Sequence, residues 1–235
     1  MSGQKLEGGD DRVTPPDRKT RVWDVPVRVF HWALVLLIVS QITTVSLGGN
    51  AMEYHLLGGY SILALVLFRI VWGVVGTRQA RFANFLRGPL AVLRYARSLT
   101  GSNHEKHAGH NPLGGWSVIA MLASVLVQAV SGLFADDEII TSGPLWKYVS
   151  DDVASTIGAI HEANALVLLT LICIHMGAIL FYLVRKKENL IVPMFSGLKT
   201  SLDTRDVSLR PGQGTLRALI VLMICIGVTY AVVTF

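Results

Sequence analysis

HEANALVLLTLICIH sets a histidine at each end of an almost wholly apolar run, His161 and His175. Few other ionisable side chains interrupt the apolar stretches of the chain: His31, His55, Arg69 and Glu162. Imidazole in such a setting ligates a metal, relays a proton or bonds one helix to another. Spacing narrows the choice. Fourteen residues are just under four helical turns, so His161 and His175 leave nearly the same face of one helix about 21 Å apart. Rings that far apart cannot share a zinc ion, whose four ligands surround one point.

The elements that carry these residues read as membrane helices. Apolar residues make up 51% of the 235-residue chain and charged ones 16%. Five stretches have the roughly 20 apolar residues that a helix needs to cross a bilayer: Val27–Leu47, His55–Gly76, Pro112–Ala135, Ser155–Val184 and Leu216–Phe235. The class expected is an all-α polytopic membrane protein. Residues 1–20 are polar and lack the apolar core of a cleavable signal peptide, so they read as a disordered cytoplasmic head before an uncleaved first span. Residues 21–188 read as a four-helix bundle, 189–214 as a cytoplasmic linker stopped by Pro and Gly, and 215–235 as a fifth, C-terminal transmembrane helix. The loop RFANFLRGPLAVLRYARSLTG alternates apolar residues and arginines at helical spacing, as an interfacial helix does.

The net charge of +5 follows topology and does not point to nucleic acid. Lys and Arg gather before span one, between spans two and three, and after span four, from Arg185 to Arg210. SLGGNAMEY has neither, and the connection from Asp136 to Asp152 sets Lys147 against Asp136, Asp137, Glu138, Asp151 and Asp152. The positive-inside rule then puts the N-terminus in the cytoplasm and the acidic loop, with the C-terminus, on the periplasmic side.

That topology gives each histidine a depth. His31 follows the cytoplasmic start of span one, and His175 lies at the same level on span four. His55 and His161 lie at the outer starts of spans two and four. The four form an inner layer, His31 with His175, and an outer layer, His55 with His161. Each layer offers two histidines, and haem is the cofactor whose macrocycle supplies four nitrogens and asks for axial ligands. Bundle cores hold such groups. There is no C-x-x-C-H, so covalent attachment is excluded, and Cys173 and Cys225 read as small apolar residues. One intramembrane histidine alone is as well explained as interhelical glue; two depth-matched pairs favour two non-covalent, bis-histidine haems b.

Neighbouring residues fit a flat ligand. Gly58, Gly59, Gly158 and Gly177 lie within a turn of the histidines, although glycine is common in membrane helices anyway. Arg69 lies fourteen residues after His55, at the inner layer, where its guanidinium could pair with a haem propionate or snorkel to the inner surface. Arg28, one turn before His31, is a similar candidate. HEKHAGH carries His104, His107 and His110; the loop reads as solvated, but His110 starts span three and could reach a propionate or a quinone head.

RVWDVPVRVFHW, WGVVGTRQARFANFLRGP, GHNPLGGWSV, HEANALVLLTLICIH and RKKENLIVPMFSG, in that order and spacing, resemble the bacterial cytochrome b561 and nickel-hydrogenase b-type cytochrome family from about Thr20 to Lys199. The resemblance implies a four-helix bundle in the bacterial cytoplasmic (inner) membrane, with two b-type haems. It implies electron transfer between the quinone pool and a protein partner, with His31, His55, His161 and His175 as axial ligands. The polar tail and fifth span depart from the plain four-helix pattern.

The function expected is that of a di-haem transmembrane electron carrier. Its partners would be lipid, quinone or quinol, and a periplasmic c-type cytochrome, a hydrogenase-like protein or another redox protein, with a homodimer left open. Whether it oxidises quinol itself or serves as a membrane subunit also stays open. A non-redox membrane anchor with interhelical histidines is the alternative. An ion or proton transporter fits less well, because past Glu162, which adjoins His161, only Asn164, Thr170 and Cys173 lie before His175 as polar or thiol groups, which makes a dry path.

Overall fold

The structure of the chain, a computed structural model, describes residues 18–98, 111–136, 141–201, 212 and 214–234. The head through residue 17, the histidines His104, His107 and His110, the acids Asp137 and Glu138, and the linker from 202 to 211 lie outside the described residues. Among the described residues there are eight α-helices: α1 Val25–Leu47, α2 Ala51–Val75, α3 Phe82–Phe85, α4 Pro89–Ser98, α5 Pro112–Gly132, α6 Asp151–Val184, α7 Ile191–Ser196 and α8 Thr215–Thr234. Five of them, α1, α2, α5, α6 and α8, are long and apolar enough to cross a membrane. The chain is an all-α polytopic membrane protein.

Helix α1 begins where the sequence provides a cap and a proline. The Asp24 side chain accepts from the Val27 amide at 2.8 Å, with Pro26 in the first turn, so an otherwise orphaned amide is satisfied at the helix start. The second carboxylate oxygen accepts from Trp72 Nε1 at 3.0 Å and from Thr77 Oγ1 at 2.6 Å. One buried carboxylate therefore ties the start of α1 to the end of α2. Trp72 is wholly buried in a core with Val27, Phe30, Phe68, Leu122, Ala218 and Cys225, which joins α1, α2, α5 and α8. Helix α5 repeats the capping device: Asn111 accepts from the Gly114 amide at 2.7 Å, and Pro112 opens the helix.

Helix α2 is the column of the bundle, packed by α1, α5 and α8. Helix α6 packs closely on α5 alone. The α5–α6 seam is fastened by Asn164, which donates to the Ser124 carbonyl at 2.9 Å and to Gln128 Oε1 at 2.7 Å, while Ser124 donates to Asn164 Oδ1 at 3.1 Å. In hydrocarbon such amide pairs satisfy groups that lipid cannot.

Two helices start about a turn before the apolar runs suggest, α2 at Ala51 and α6 at Asp151. With 34 residues, α6 is about 51 Å long and outreaches a hydrocarbon core of about 30 Å. Asp151 and Asp152 occupy its first turn, where negative charge meets the positive end of the helix dipole. That local role accounts for two of the five acids.

On the opposite face the segment expected as a linker folds back. After α7, Gly197 at φ +76° ends the helix in the left-handed region, which glycine adopts freely. Strand β2 Leu198–Ser201 then pairs antiparallel with β1 Arg18–Arg21. Trp32 stacks on Phe195 at 4.2 Å and donates to the Met194 carbonyl at 3.2 Å, and Lys199 pairs with Glu188 at 2.6 Å. The interfacial helix expected from the sequence is α4, with Leu90 and Leu93 exposed. Its Tyr95 hydroxyl lies 2.7 Å from that of Tyr182 on α6, which also accepts from Asn111 Nδ2 at 2.9 Å. Burial first, then the Tyr182 bond, pushes the Tyr95 phenol far above its usual range, so it stays protonated and serves as a clasp.

Asp24→Ala removes a cap and leaves Trp72 Nε1 and Thr77 Oγ1 buried without their acceptor. We expect a loss of about 2–4 kcal/mol, read as a lowered thermal midpoint in detergent. An unchanged midpoint would show that the carboxylate does not fasten α1 to α2.

Candidate functional site

Helices α2 and α6 point their outer histidines at each other although their backbones do not pack closely. The ring centroids of His55 and His161 are 6.5 Å apart with the planes 75° from parallel. Two imidazoles on opposite sides of one metal have centroids about 6 Å apart, from a metal–nitrogen bond of about 2 Å plus about 1 Å within each ring. The observed spacing fits that requirement. It is too long for a direct hydrogen bond between ring nitrogens within the same axis, so glue between α2 and α6 does not explain it.

Each outer ring has its Nδ1 occupied. His55 Nδ1 lies 3.3 Å from Thr44 Oγ1 on α1, and His161 Nδ1 lies 3.1 Å from Ser131 Oγ on α5. Both hydroxyls are buried, at 8% and 5% exposure. Fixing one ring nitrogen leaves the other, Nε2, to face a ligand. Gly132 brings α5 against the same ring: a Cβ there would lie 3.0 Å from His161 Cε1.

The glycines divide by use. Gly58 packs on Gln41, and a Cβ there would collide with its side-chain amide. Gly59 and Gly158, each about a turn from a histidine, have open space at Cβ, whereas Gly177 is exposed on a different face of α6 from His175.

The inner pair is arranged differently. The His31 ring meets the edge of Trp32 at 5.0 Å. Its Nδ1 is buried and has no hydrogen-bond partner among the described residues. Arg69, only 3% exposed, lies in the same half of the bundle, with its guanidinium 4.8 Å from the Phe82 ring centre. Its Nη1 is likewise buried without a partner among the described residues, a donor of the kind that a carboxylate would complete. Arg28 reaches the Phe195 carbonyl through Nη1, while its buried Nε is unpartnered among the described residues. His110 lies outside the described residues.

Between the two layers lies an apolar cluster: Ile62 and Val66 of α2, Val125 of α5 and Leu168 of α6, flanked by Leu34, Leu37 and Ile38 of α1. The polar groups of α6 do not open a path through it. Thr170 bonds back to the Leu166 carbonyl at 2.8 Å, Asn164 is held by α5, and Cys173 is exposed on the outside. Among the described residues no three His, Cys, Asp or Glu side chains converge on a metal position. The outer pair brings two imidazoles together, the number that a metal already held by a macrocycle takes from a protein.

Thr44, Ser131, Gln41, Gln128 and Gly132 are additions that the sequence alone did not single out. A Gln-x-x-hydroxyl pattern, QITT on α1 and QAVS on α5, is the one signal that marks them.

The family model of prokaryotic cytochrome b561 matches residues 22–197. No curated protein and no solved structure matches the chain. The two ends of the matched region meet in the fold, where the Val22 amide donates to the Gly197 carbonyl at 2.9 Å. Helix α8 lies beyond it.

Gly132→Val would drive a side chain into His161 and turn the ring from its partner. The expected outcome is reduced haem pigment or a changed visible spectrum. Gly227→Ala on α8, with open space at its Cβ, should leave the spectrum alone. Equal spectra for the two variants would mean that the α5 contact does not position His161.

Proposed function

The chain belongs to the prokaryotic cytochrome b561 family, and on that premise we propose that it is a di-haem carrier moving electrons between membrane quinone and a protein redox partner. Family membership itself brings b-type haem and electron transfer in a bacterial membrane. The finer reading assigns one haem to His55 and His161 and the other to His31 and His175. The observation that carries it is the opposed outer pair, 6.5 Å apart across helices whose backbones do not pack closely.

When bound, haem supplies a one-electron ferric–ferrous couple. The chain does the rest. His55 and His161 present Nε2 from opposite sides, with Thr44 and Ser131 holding the rings. The Ile62, Val66, Val125 and Leu168 cluster keeps water out between the layers and separates the two sites by a short apolar gap. Arg69 Nη1 would receive a propionate, and Arg28 Nε is a further donor on the same side; His110, outside the described residues, is a candidate from the sequence. The fastening of α6 to α5 keeps the four ligands on a rigid frame, which limits reorganisation when charge changes.

Quinone suits the mobile substrate role because it is soluble in the bilayer that the long apolar helices require. The cytoplasmic N-terminus follows from the distribution of Lys and Arg. The acidic segment between α5 and α6 would face the periplasm and favour a partner of basic surface, such as a c-type cytochrome. In this reading residues 21–188 form the electron-carrying bundle, and α8 is a buttress on α2.

Purified protein extracted into alkaline pyridine should give two non-covalent haems b per chain. His175→Ala should lose the inner haem and keep the outer; His161→Ala should do the reverse, with helix content unchanged by circular dichroism. Loss of both haems from a folded variant, or of neither, would refute the pairing. A colourless protein that takes up no added haem would favour the membrane-anchor alternative.

A further inference from the structure

The outer histidines share one supporting arrangement, built twice. On α1, Gln41 and Thr44 face α2, where Thr44 meets His55 and Gln41 packs on Gly58, three residues further on. On α5, Gln128 and Ser131 face α6, where Ser131 meets His161 and Gln128 accepts from Asn164, again three residues further on. The helix pairs α1–α2 and α5–α6 thus each set a glutamine, and a hydroxyl three residues on, against the helix that carries one outer histidine.

The proton in each hydroxyl–imidazole contact can be assigned. A hydroxyl has one proton to give and two lone pairs to receive with. Thr44 Oγ1 donates to the Ser40 carbonyl at 2.9 Å, with the Gln41 carbonyl at 3.1 Å. Ser131 Oγ donates to the Val127 carbonyl at 2.7 Å, with the Gln128 carbonyl at 3.2 Å. With each hydroxyl proton directed at the helix backbone, the hydroxyls are placed to accept from the rings. Each outer imidazole then carries its proton on Nδ1 and its free lone pair on Nε2. Neither hydroxyl is exposed enough for water to substitute readily.

We propose that Thr44 and Ser131 are positioning residues that hold both outer imidazoles as Nδ1–H donors and lower the reduction potential of the outer site. An imidazole that donates its N–H gains electron density, becomes the stronger ligand and favours the ferric state. The inner site lacks this support at His31, whose buried Nδ1 is unpartnered among the described residues. The effect belongs to the outer site and rests on its assignment to His55 and His161.

The test is a redox titration of the purified holoprotein, followed in the visible bands, with low-spin electron paramagnetic resonance on the same samples. Thr44→Val and Ser131→Ala remove an acceptor with little change in shape. Each should shift one component, the one missing from His161→Ala, to more positive potential and change its g-values. The double variant should shift it further, Thr44→Ser should restore it, and the second component should stay put. Unchanged or more negative midpoints in variants that keep both haems would overturn the proposal. Should Thr44→Val fail to hold pigment, Ser131→Ala decides by the same criterion. If His55→Ala and His161→Ala each retain both haems, the ligand assignment itself has failed, which is a separate result.

Discussion

A neutral imidazole buried among helices in hydrocarbon has two nitrogens to satisfy, one donor and one acceptor, and no water to satisfy them. The arrangement of the outer half of this bundle follows from that constraint. One nitrogen of each ring is taken by a hydroxyl from the preceding transmembrane helix, Thr44 for His55 and Ser131 for His161. The other faces the space between α2 and α6. Direct packing of α2 on α6 would close that space, and the bundle avoids it by seating α6 on α5 and α2 against α1, α5 and α8. The Asn164 clasp with Ser124 and Gln128 then holds α6 at its distance without drawing it inward. Polar bonds in the outer half therefore fix a separation as much as they fix a contact.

The inner half meets the same constraint with different means. Its polar groups are charged or aromatic: Asp24 gathers Trp72, Thr77 and the start of α1, while Arg69 lies against Phe82 with a donor left over. A buried guanidinium with an open donor is costly unless an anion completes it. Arg69 Nη1, Arg28 Nε and His31 Nδ1, without hydrogen-bond partners among the described residues, all fall in this half. A haem propionate at that level would complete the two arginine donors, which is why Arg69 and Arg28 support the proposed inner site. Above this floor, the β1–β2 ribbon and the Trp32–Phe195 stack bring the segment after α6 back over the start of α1.

Legibility in the sequence varied with the range of the interactions. The five spans were legible because lipid imposes one demand on every residue of a crossing helix, and their ends were off by about a turn because α2 and α6 continue beyond the hydrocarbon. Pairing histidines by depth placed His55 opposite His161 because a helix has a fixed rise per residue. Thr44 and Ser131 escaped notice because a serine or threonine bonded to the carbonyl four residues back looks the same in sequence whether or not it also meets a histidine. The return of residues 198–201 to pair with 18–21 was illegible for another reason: four-residue strands are too short to show alternation, and Pro and Gly nearby read as a linker. Gly58 was expected beside a ligand and instead accommodates Gln41, a distinction between room and close packing that composition does not encode.

The place of α8 follows from what α2 leaves uncovered. Helix α2 has α1 and α5 as neighbours within the bundle, and one side remains for a further partner. Ala218 and Cys225 of α8 enter the core around Trp72, and Gly214, at φ +82°, brings the chain within van der Waals reach of the Trp72 ring. Trp72 is the same residue whose indole N–H is held by Asp24. The fifth helix thus presses on the joint that fixes α1 to α2, and so on α2, the helix that carries His55 at one level and Arg69 at the other. Its contact with the outer and inner groups is indirect, which fits a helix outside the family-matched region that reinforces the frame and supplies no histidine of its own.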